Sequence, residues 1–207
     1  EPMAEEKSFF DYHMYTLLRP TTLKNNQTKQ INIISGSDVP YRKYYQLNVY
    51  DEKVDIIVEF ENNKDSGLGI PLPGGKVKLY KLDEDDGSLE FIGEDLIEHT
   101  PKDEKIKLVT GKAFDIAFQY KEIDEKRING YVHYQYEYVI KNHKEEQAEV
   151  HFEHRIRGIW EMVSSSHDYV KKSSDTIEFV VDVPADSEVK VSFEYRVDKR
   201  IEISWKK

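Results

Sequence analysis

The chain has no cysteine. That excludes disulfides, thiolate nucleophiles and cysteine-held zinc or iron–sulfur clusters. It leaves the compartment open, since a chain without thiols suits oxidising and reducing surroundings alike. Long hydrophobic runs are missing too: no apolar stretch approaches the about 20 residues that cross a bilayer. Positive charge is outweighed, with 30 Lys and Arg against 40 Asp and Glu and a net charge of −10. Nucleic acid and anionic membrane surfaces are therefore disfavoured as partners, because both are bound by basic side chains. Helical spacing of apolar positions is absent from every stretch of about twelve residues or more. What the chain has in quantity is aromatic side chains, 14 Tyr and 9 Phe. These argue for a packed core despite 34% charged residues. At 207 residues, one or two domains are expected.

Apolar and polar residues alternate with a period of two. Val54, Ile56, Val58 and Phe60 form one such row, and Phe114, Ile116, Phe118 and Tyr120 another. The row Val132, Tyr134, Tyr136, Tyr138, Ile140 is followed by Ala148, Val150, Phe152 and Ile156, with His154 among them. Ile177, Phe179, Val181, Val183 and then Val189, Val191, Phe193, Tyr195, Val197 close the series. Each reads as a strand with one face on a core and one in water. The expected class is all-β, built as antiparallel β-sandwiches, two in tandem.

Turn residues fall between these strands. Asp83–Ser88 separates Val77–Leu82 from Leu89–Ile92 and reads as a hairpin tip. Asn142–Glu145 separates two strands whose apolar positions are all even-numbered. Paired as a hairpin without a bulge, they require a loop with an odd number of residues, three or five. The charge run Lys121–Arg127 interrupts the apolar rows and suggests a boundary. On that reading, residues 1–122 form a first β-sandwich region and 123–207 a second, immunoglobulin-like β-sandwich. Both Ile57–Lys64 and Tyr138–Lys144 end a strand in an asparagine, Asn62 and Asn142, a residue suited to left-handed backbone. Two units built alike would produce that echo, and so would chance.

Several motifs touch on chemistry, and each has a plainer reading. The run Gly67–Gly75 is glycine-rich, but Val77 follows Lys76 and a strand begins, whereas a P-loop needs Ser or Thr and a helix. Pro71 and Pro73 remove two amide donors from any anion nest, so the loop reads as a rigid connection setting Leu68, Ile70 and Leu72 onto the core. Asp83, Asp85, Asp86 and Glu90 miss the EF-hand register, since Gly87 falls at the fifth place and not the sixth. Glu94, Asp95, Glu98 and His99 place carboxylates beside a histidine, as metal binding or acid–base chemistry requires. Glu94, Glu98 and His99 are the metal candidates, against the reading of a solvated acidic loop.

His133 and His151 fall on polar faces and His154 on an apolar one, so the three do not converge on a metal, and what stays open is a His133/His151 pair with Glu137, Glu149 or Glu153. His154 is expected to be a hydrogen-bonded core residue, neutral at pH 7. Ser164–Asp168 holds the letters of a catalytic triad, but adjacent residues rarely give triad geometry. No catalytic residue and no cofactor is assigned. Tyr41, Tyr44, Tyr45 and Tyr50 alternate irregularly, so some face outward, and Tyr44 and Tyr50 are the candidates for contact with a ligand. Trp160 and Trp205 read as packing residues.

The Gly67–Tyr80 stretch, then Phe91–Glu94, His99–Pro101 and Gly111–Ile116, resembles the C-terminal domain of mucoidy-inhibitor-type proteins, the family termed domain of unknown function 4139. Tyr15–Leu17, Arg19–Leu23 and Lys29–Ile31 upstream fit as well, as do Asn142, Trp160 and Thr176–Val197 downstream. The resemblance implies a longer protein, with an N-terminal segment and a coiled coil before this domain, in an extracytoplasmic setting. It brings no catalytic residues. The leading expectation is a non-catalytic β-sandwich module of a larger envelope or secreted protein, acting by protein–protein contact or as a spacer. A carbohydrate-binding module is the second expectation, and it requires a shallow groove lined by at least two coplanar exposed aromatics. A metal-dependent hydrolase at Glu94–His99 is the third.

Overall fold

The computed structural model describes residues 4–32 and 35–200. The acidic start at residues 1–3 and Trp205 lie outside the described residues. Among the described residues, fourteen strands follow in chain order. They are β1 (Ala4–Phe9), β2 (Tyr12–Leu17), β3 (Tyr41–Asn48), β4 (Lys53–Glu61), β5 (Gly75–Leu82), β6 (Leu89–Ile97) and β7 (Lys105–Lys112). Then come β8 (Ile116–Ile128), β9 (Tyr131–Asn142), β10 (Ala148–Arg155), β11 (Trp160–Ser165), β12 (Tyr169–Lys171), β13 (Thr176–Val183) and β14 (Ser187–Asp198). The protein is all-β, as the alternation implies. Among the described residues no helix is long and apolar enough to cross a membrane.

The chain divides into two units. One holds residues 1–42 and 58–108, the other residues 43–57 and 109–207. The boundary expected at 122/123 falls inside β8, because the charge run Lys121–Arg127 is the outer end of a sheet-edge strand. A bulge at Ile123 breaks the register there, between Glu122 opposite Tyr136 and Asp124 opposite Gln135. β4 and β7 each run from one unit into the other.

The unit of residues 43–57 and 109–207 is the β-sandwich. One sheet has the order β12-β13-β10-β3-β4-β7 and the other β11-β14-β9-β8. The alternating rows, even-numbered on β9 and β10 and odd-numbered on β13 and β14, supply the core between them: Ile140, Val150, Phe152, Phe179, Val181, Val191 and Phe193 are all buried. Aromatic stacking crosses the layer, from Tyr138 to Phe152 (4.3 Å between centroids), Phe152 to Phe179 (4.9 Å) and Phe179 to Phe193 (5.1 Å). Such contacts add to the burial of the rings themselves.

Four details depart from the sequence reading. β9 and β10 do not form a hairpin; they lie in opposite sheets, so residues 143–147 cross the sandwich and the odd-loop rule has no pair to act on. β3 joins β10 in parallel, which strands distant in sequence are free to do because no tight turn binds them. Phe114 is 97% exposed, since β8 starts only at Ile116. In β4 the buried residues are Val54 and Ile57 rather than one even row.

Asn142 closes the sandwich end. Its buried side-chain amide donates to the carbonyls of Glu146 (2.8 Å), Val183 (3.0 Å) and Pro184 (3.0 Å), and its Oδ1 accepts from the Lys144 amide (3.0 Å). In the other unit Asn62 plays a similar part. It is buried, donates to the carbonyls of Ile70 (2.7 Å) and Pro101 (2.9 Å), and accepts from the Gly69 amide (3.1 Å). Neither has positive φ, so both asparagines act through their amides and not through left-handed backbone. Asn62 thereby pins the Gly/Pro-rich loop. The unit of residues 1–42 and 58–108 also carries two ribbons, β1–β2 and β5–β6, the latter joined by the expected tip at Asp83–Ser88.

Candidate functional site

The inner row of β9 changes character along its length. Ile140 and Tyr138 are buried, whereas Tyr136 and Tyr134 are only half-buried. The neighbouring row of β8 does the same, from Ile116 through Phe118 and Tyr120 to Glu122. Hydroxyl-bearing rings replace aliphatic side chains where the sandwich core opens. The result is a cleft of about 360 Å³ walled by Tyr50, Tyr120, Tyr136, Tyr138, Glu153, His154 and Arg155. A second cleft shares Tyr50, Tyr136 and Arg155 with it and adds Tyr134, Arg157, Tyr195, Val197 and Lys199.

Tyr50 stands at the rim, 86% exposed, in the turn between β3 and β4. Asn48 organises that turn: its Oδ1 accepts from the amides of Tyr50 (3.2 Å) and Asp51 (3.3 Å), and its Nδ2 donates to Asp51 (3.1 Å). Arg155 ends β10, beside Thr176 at the start of β13, with its Nε 3.6 Å from Asp175. Tyr136 donates its hydroxyl to Glu122 (2.6 Å), placed opposite it by the last regular pair before the β8 bulge. Burial, then Glu122, pushes the Tyr136 phenol up, and burial pushes Tyr195 up to about 12. The ring planes of Tyr136 and Tyr195 lie within 5°, at 6.0 Å.

His154 is the buried titratable group of this wall. Its Nδ1 lies 3.0 Å from the Tyr138 hydroxyl, while its Nε2 is buried without a hydrogen-bond partner. Tyr136, Phe193 and Tyr195 pack their rings around it at 4.5, 5.0 and 5.6 Å. Burial lowers its pKa from 6.5 to about 4, so the imidazole is neutral at pH 7, as the sequence reading expected of a core histidine.

The remaining sequence candidates are dispersed. Tyr44 is not a surface residue: it is 2% exposed and stacks on His151 at 4.1 Å, because the inward and outward positions of β3 break alternation there. Glu94 is taken up by Lys76 (2.6 Å), which holds its carboxyl below the usual range, and His99 Nδ1 accepts from the Gly74 amide (3.1 Å). Glu98, Glu94 and His99 therefore do not converge, and no group of three or more metal-type ligands gathers among the described residues. His133 meets Glu194 (2.8 Å) and His151 meets Glu149 (2.7 Å) in opposite sheets. Ser166 Oγ lies 2.9 Å from His167 Nδ1, but the same hydroxyl accepts from the Ser192 amide (2.9 Å) in an exposed loop. The Asp83–Glu90 segment is a hairpin tip whose own carboxylates, Asp83 and Asp86, accept from the amides of Asp85 and Ser88. Trp160 packs against the core and donates to the Ser174 carbonyl (2.8 Å).

Of the two ligand candidates, then, Tyr50 stands at the cleft. Glu122, Tyr136, Arg155, Arg157 and Lys199 were not singled out from sequence as site residues, and Glu153 was considered only as a metal partner of His133 and His151; the one signal was the tyrosine-for-aliphatic replacement along the inner row of β9. Comparison with known proteins adds no relative: no family model, no curated protein and no solved structure matches the chain.

Proposed function

We propose that the chain is a non-catalytic, immunoglobulin-like β-sandwich module of a larger envelope or secreted protein, and that it binds carbohydrate in the tyrosine cleft. The observation that carries this reading is Tyr50, an 86% exposed ring held by an Asx-type turn at the rim of a cleft walled by further tyrosines. A tyrosine offers a sugar an apolar face to stack on and a hydroxyl to bond, at little conformational cost. Glu153, Arg155 and Thr176 supply charged and hydroxyl partners for sugar hydroxyls beside it. The resemblance to the mucoidy-inhibitor-type domain supports the extracytoplasmic, multi-segment setting.

The test is a thermal-shift screen with soluble glycans on the protein and on Tyr50→Ala. A glycan present at 100 times its dissociation constant adds about 2.7 kcal/mol of stability, a shift of several degrees. The reading predicts such a shift with at least one glycan and its loss in Tyr50→Ala. No shift across the panel overturns it.

Contact with protein is the second reading, and one observation favours it. On the β5–β6 ribbon, the cross-strand pairs Tyr80–Phe91 and Leu82–Leu89 are all exposed apolar side chains. Neither outer edge of that ribbon pairs with a strand among the described residues. The occupant matching an open strand edge with a self-complementary apolar face is a second copy of this chain.

A further inference from the structure

Among the described residues, His154 Nε2 is the one buried side-chain polar atom without a hydrogen-bond partner. The residue is 9% exposed and stands in the wall of the tyrosine cleft. Its tautomer follows from its neighbour. Among the described residues Tyr138 has no hydrogen-bond partner for its hydroxyl besides His154 Nδ1, at 3.0 Å. If Nδ1–H donated, the Tyr138 proton and the Nε2 lone pair would both be left unused in the interior. If the Tyr138 hydroxyl donates, only one group is left over, the proton on Nε2. Each buried group without a partner costs stability, so the second arrangement is the favoured one. The imidazole is neutral at pH 7, and the cleft wall therefore carries one idle N–H donor.

The strand that carries it is open at this point. β3 pairs with β10 only from Val150 to Phe152, and after Asn48 the chain turns away through Tyr50. The edge of β10 at Glu153, His154 and Arg155 is thus not covered by β3, while its other edge stays paired with β13. That opening lets neighbours from opposite faces of one strand line the same cleft. From β9, the half-buried Tyr136 packs on His154 at 4.5 Å between ring centroids, and Tyr138 stands at 6.2 Å.

We infer that the sugar held in this cleft is N-acetylated, its acetamido carbonyl accepting from His154 Nε2–H and its acetamido methyl lying against the rings of Tyr136 and Tyr138. This rests on the carbohydrate reading above. An idle donor among aromatic rings is matched by a group that brings an acceptor and apolar surface together. A sugar hydroxyl accepts too, but brings a proton of its own that needs a second acceptor among these rings. A carboxylate brings charge into surroundings that keep even an imidazole uncharged. An acetamido group brings neither, and Glu153 stands in the same cleft wall to accept from its N–H. Nε2 is closed to bulk water, so the acetamido group reaches it by shifting the half-buried Tyr136 ring.

The test is calorimetric titration of the whole protein with triacetylchitotriose and with cellotriose, which has the same backbone and carries hydroxyls in place of the acetamido groups. His154→Phe and Tyr50→Ala are titrated in parallel. The inference predicts that triacetylchitotriose binds about tenfold more tightly than cellotriose, in line with one hydrogen bond to a buried donor. His154→Phe should abolish that preference, and Tyr50→Ala should weaken binding of both. A nitrogen-correlated NMR spectrum of the imidazole should show the proton on Nε2, and that signal should move with triacetylchitotriose but not with cellotriose. A merely structural histidine would give neither the preference nor the selective shift. A proton on Nδ1, equal affinity for the two oligosaccharides, or a preference that survives in His154→Phe overturns the N-acetyl inference and leaves the carbohydrate reading standing. Binding of another glycan without binding of triacetylchitotriose does the same. Absence of binding by every glycan overturns the carbohydrate reading and this inference together.

Discussion

The hydroxyl of Tyr138 and Nδ1 of His154 lie 3.0 Å apart across the two sheets of the sandwich, Tyr138 on β9 and His154 on β10. The pair joins the layers at the point where the apolar core gives way to the cleft. Because a charged imidazole would lose its hydration there, the folded protein keeps His154 neutral down to about pH 4.

That bond makes the first prediction. Between an unfolded pKa of 6.5 and a folded one of about 4, the unfolded chain holds more protons at this residue. Stability therefore falls as pH drops through that window and is untouched by His154 above it. At pH 4.5 the cost is about 2–3 kcal/mol. Urea unfolding of the protein and of His154→Phe at pH 7 and pH 4.5 reads it: the gap between them should shift by that amount in favour of the variant at low pH. A gap independent of pH would show that His154 is not held neutral.

Asn142 should be among the costliest single positions of the sandwich. Asn142→Ala leaves the carbonyls of Glu146, Val183 and Pro184 without this donor and is expected to cost about 2–4 kcal/mol. Asn142→Asp should be worse at pH 7, since a carboxylate would face those carbonyls. Denaturant midpoints measure both, and a loss below about half a kcal/mol for Ala would contradict the role assigned to the amide.

Gly158→Ala should destabilise by about 1–3 kcal/mol, combining a left-handed backbone with contact against Val197. Val197→Ala removes the steric part, so the double variant should lose less than the sum of the two singles. Strict additivity in a double-mutant cycle would rule out the contact.

Self-association through the β5–β6 ribbon is measurable by sedimentation velocity. The second reading predicts a dimer that Tyr80→Lys/Phe91→Lys converts to monomer with no change in the unfolding midpoint of the monomeric protein. A monomer at every concentration of the unaltered chain would dispose of it.

Much of the sandwich could be read from sequence, because period-two burial forces one reading: Ile140, Val150, Phe179 and Val191 sit inside as their parity requires. Pairing was less accessible. Parity says which face a residue takes but not which strand lies beside it, so β9 and β10 looked like a hairpin and lie in opposite sheets. Tyr44 shows the same limit, since irregular spacing of four tyrosines cannot tell which one finds His151 to stack on. The cleft was least legible of all. Its residues run from Tyr50 to Lys199, and only the folded chain brings them together.

The central claim is that the tyrosine cleft holds a sugar, and saturation-transfer NMR with a panel of neutral and acidic oligosaccharides tests it most directly. The account predicts transfer from protein to the ring protons of at least one glycan, abolished in Tyr50→Ala while the variant keeps its fold. No transfer to any glycan, or transfer undiminished in Tyr50→Ala, would contradict it.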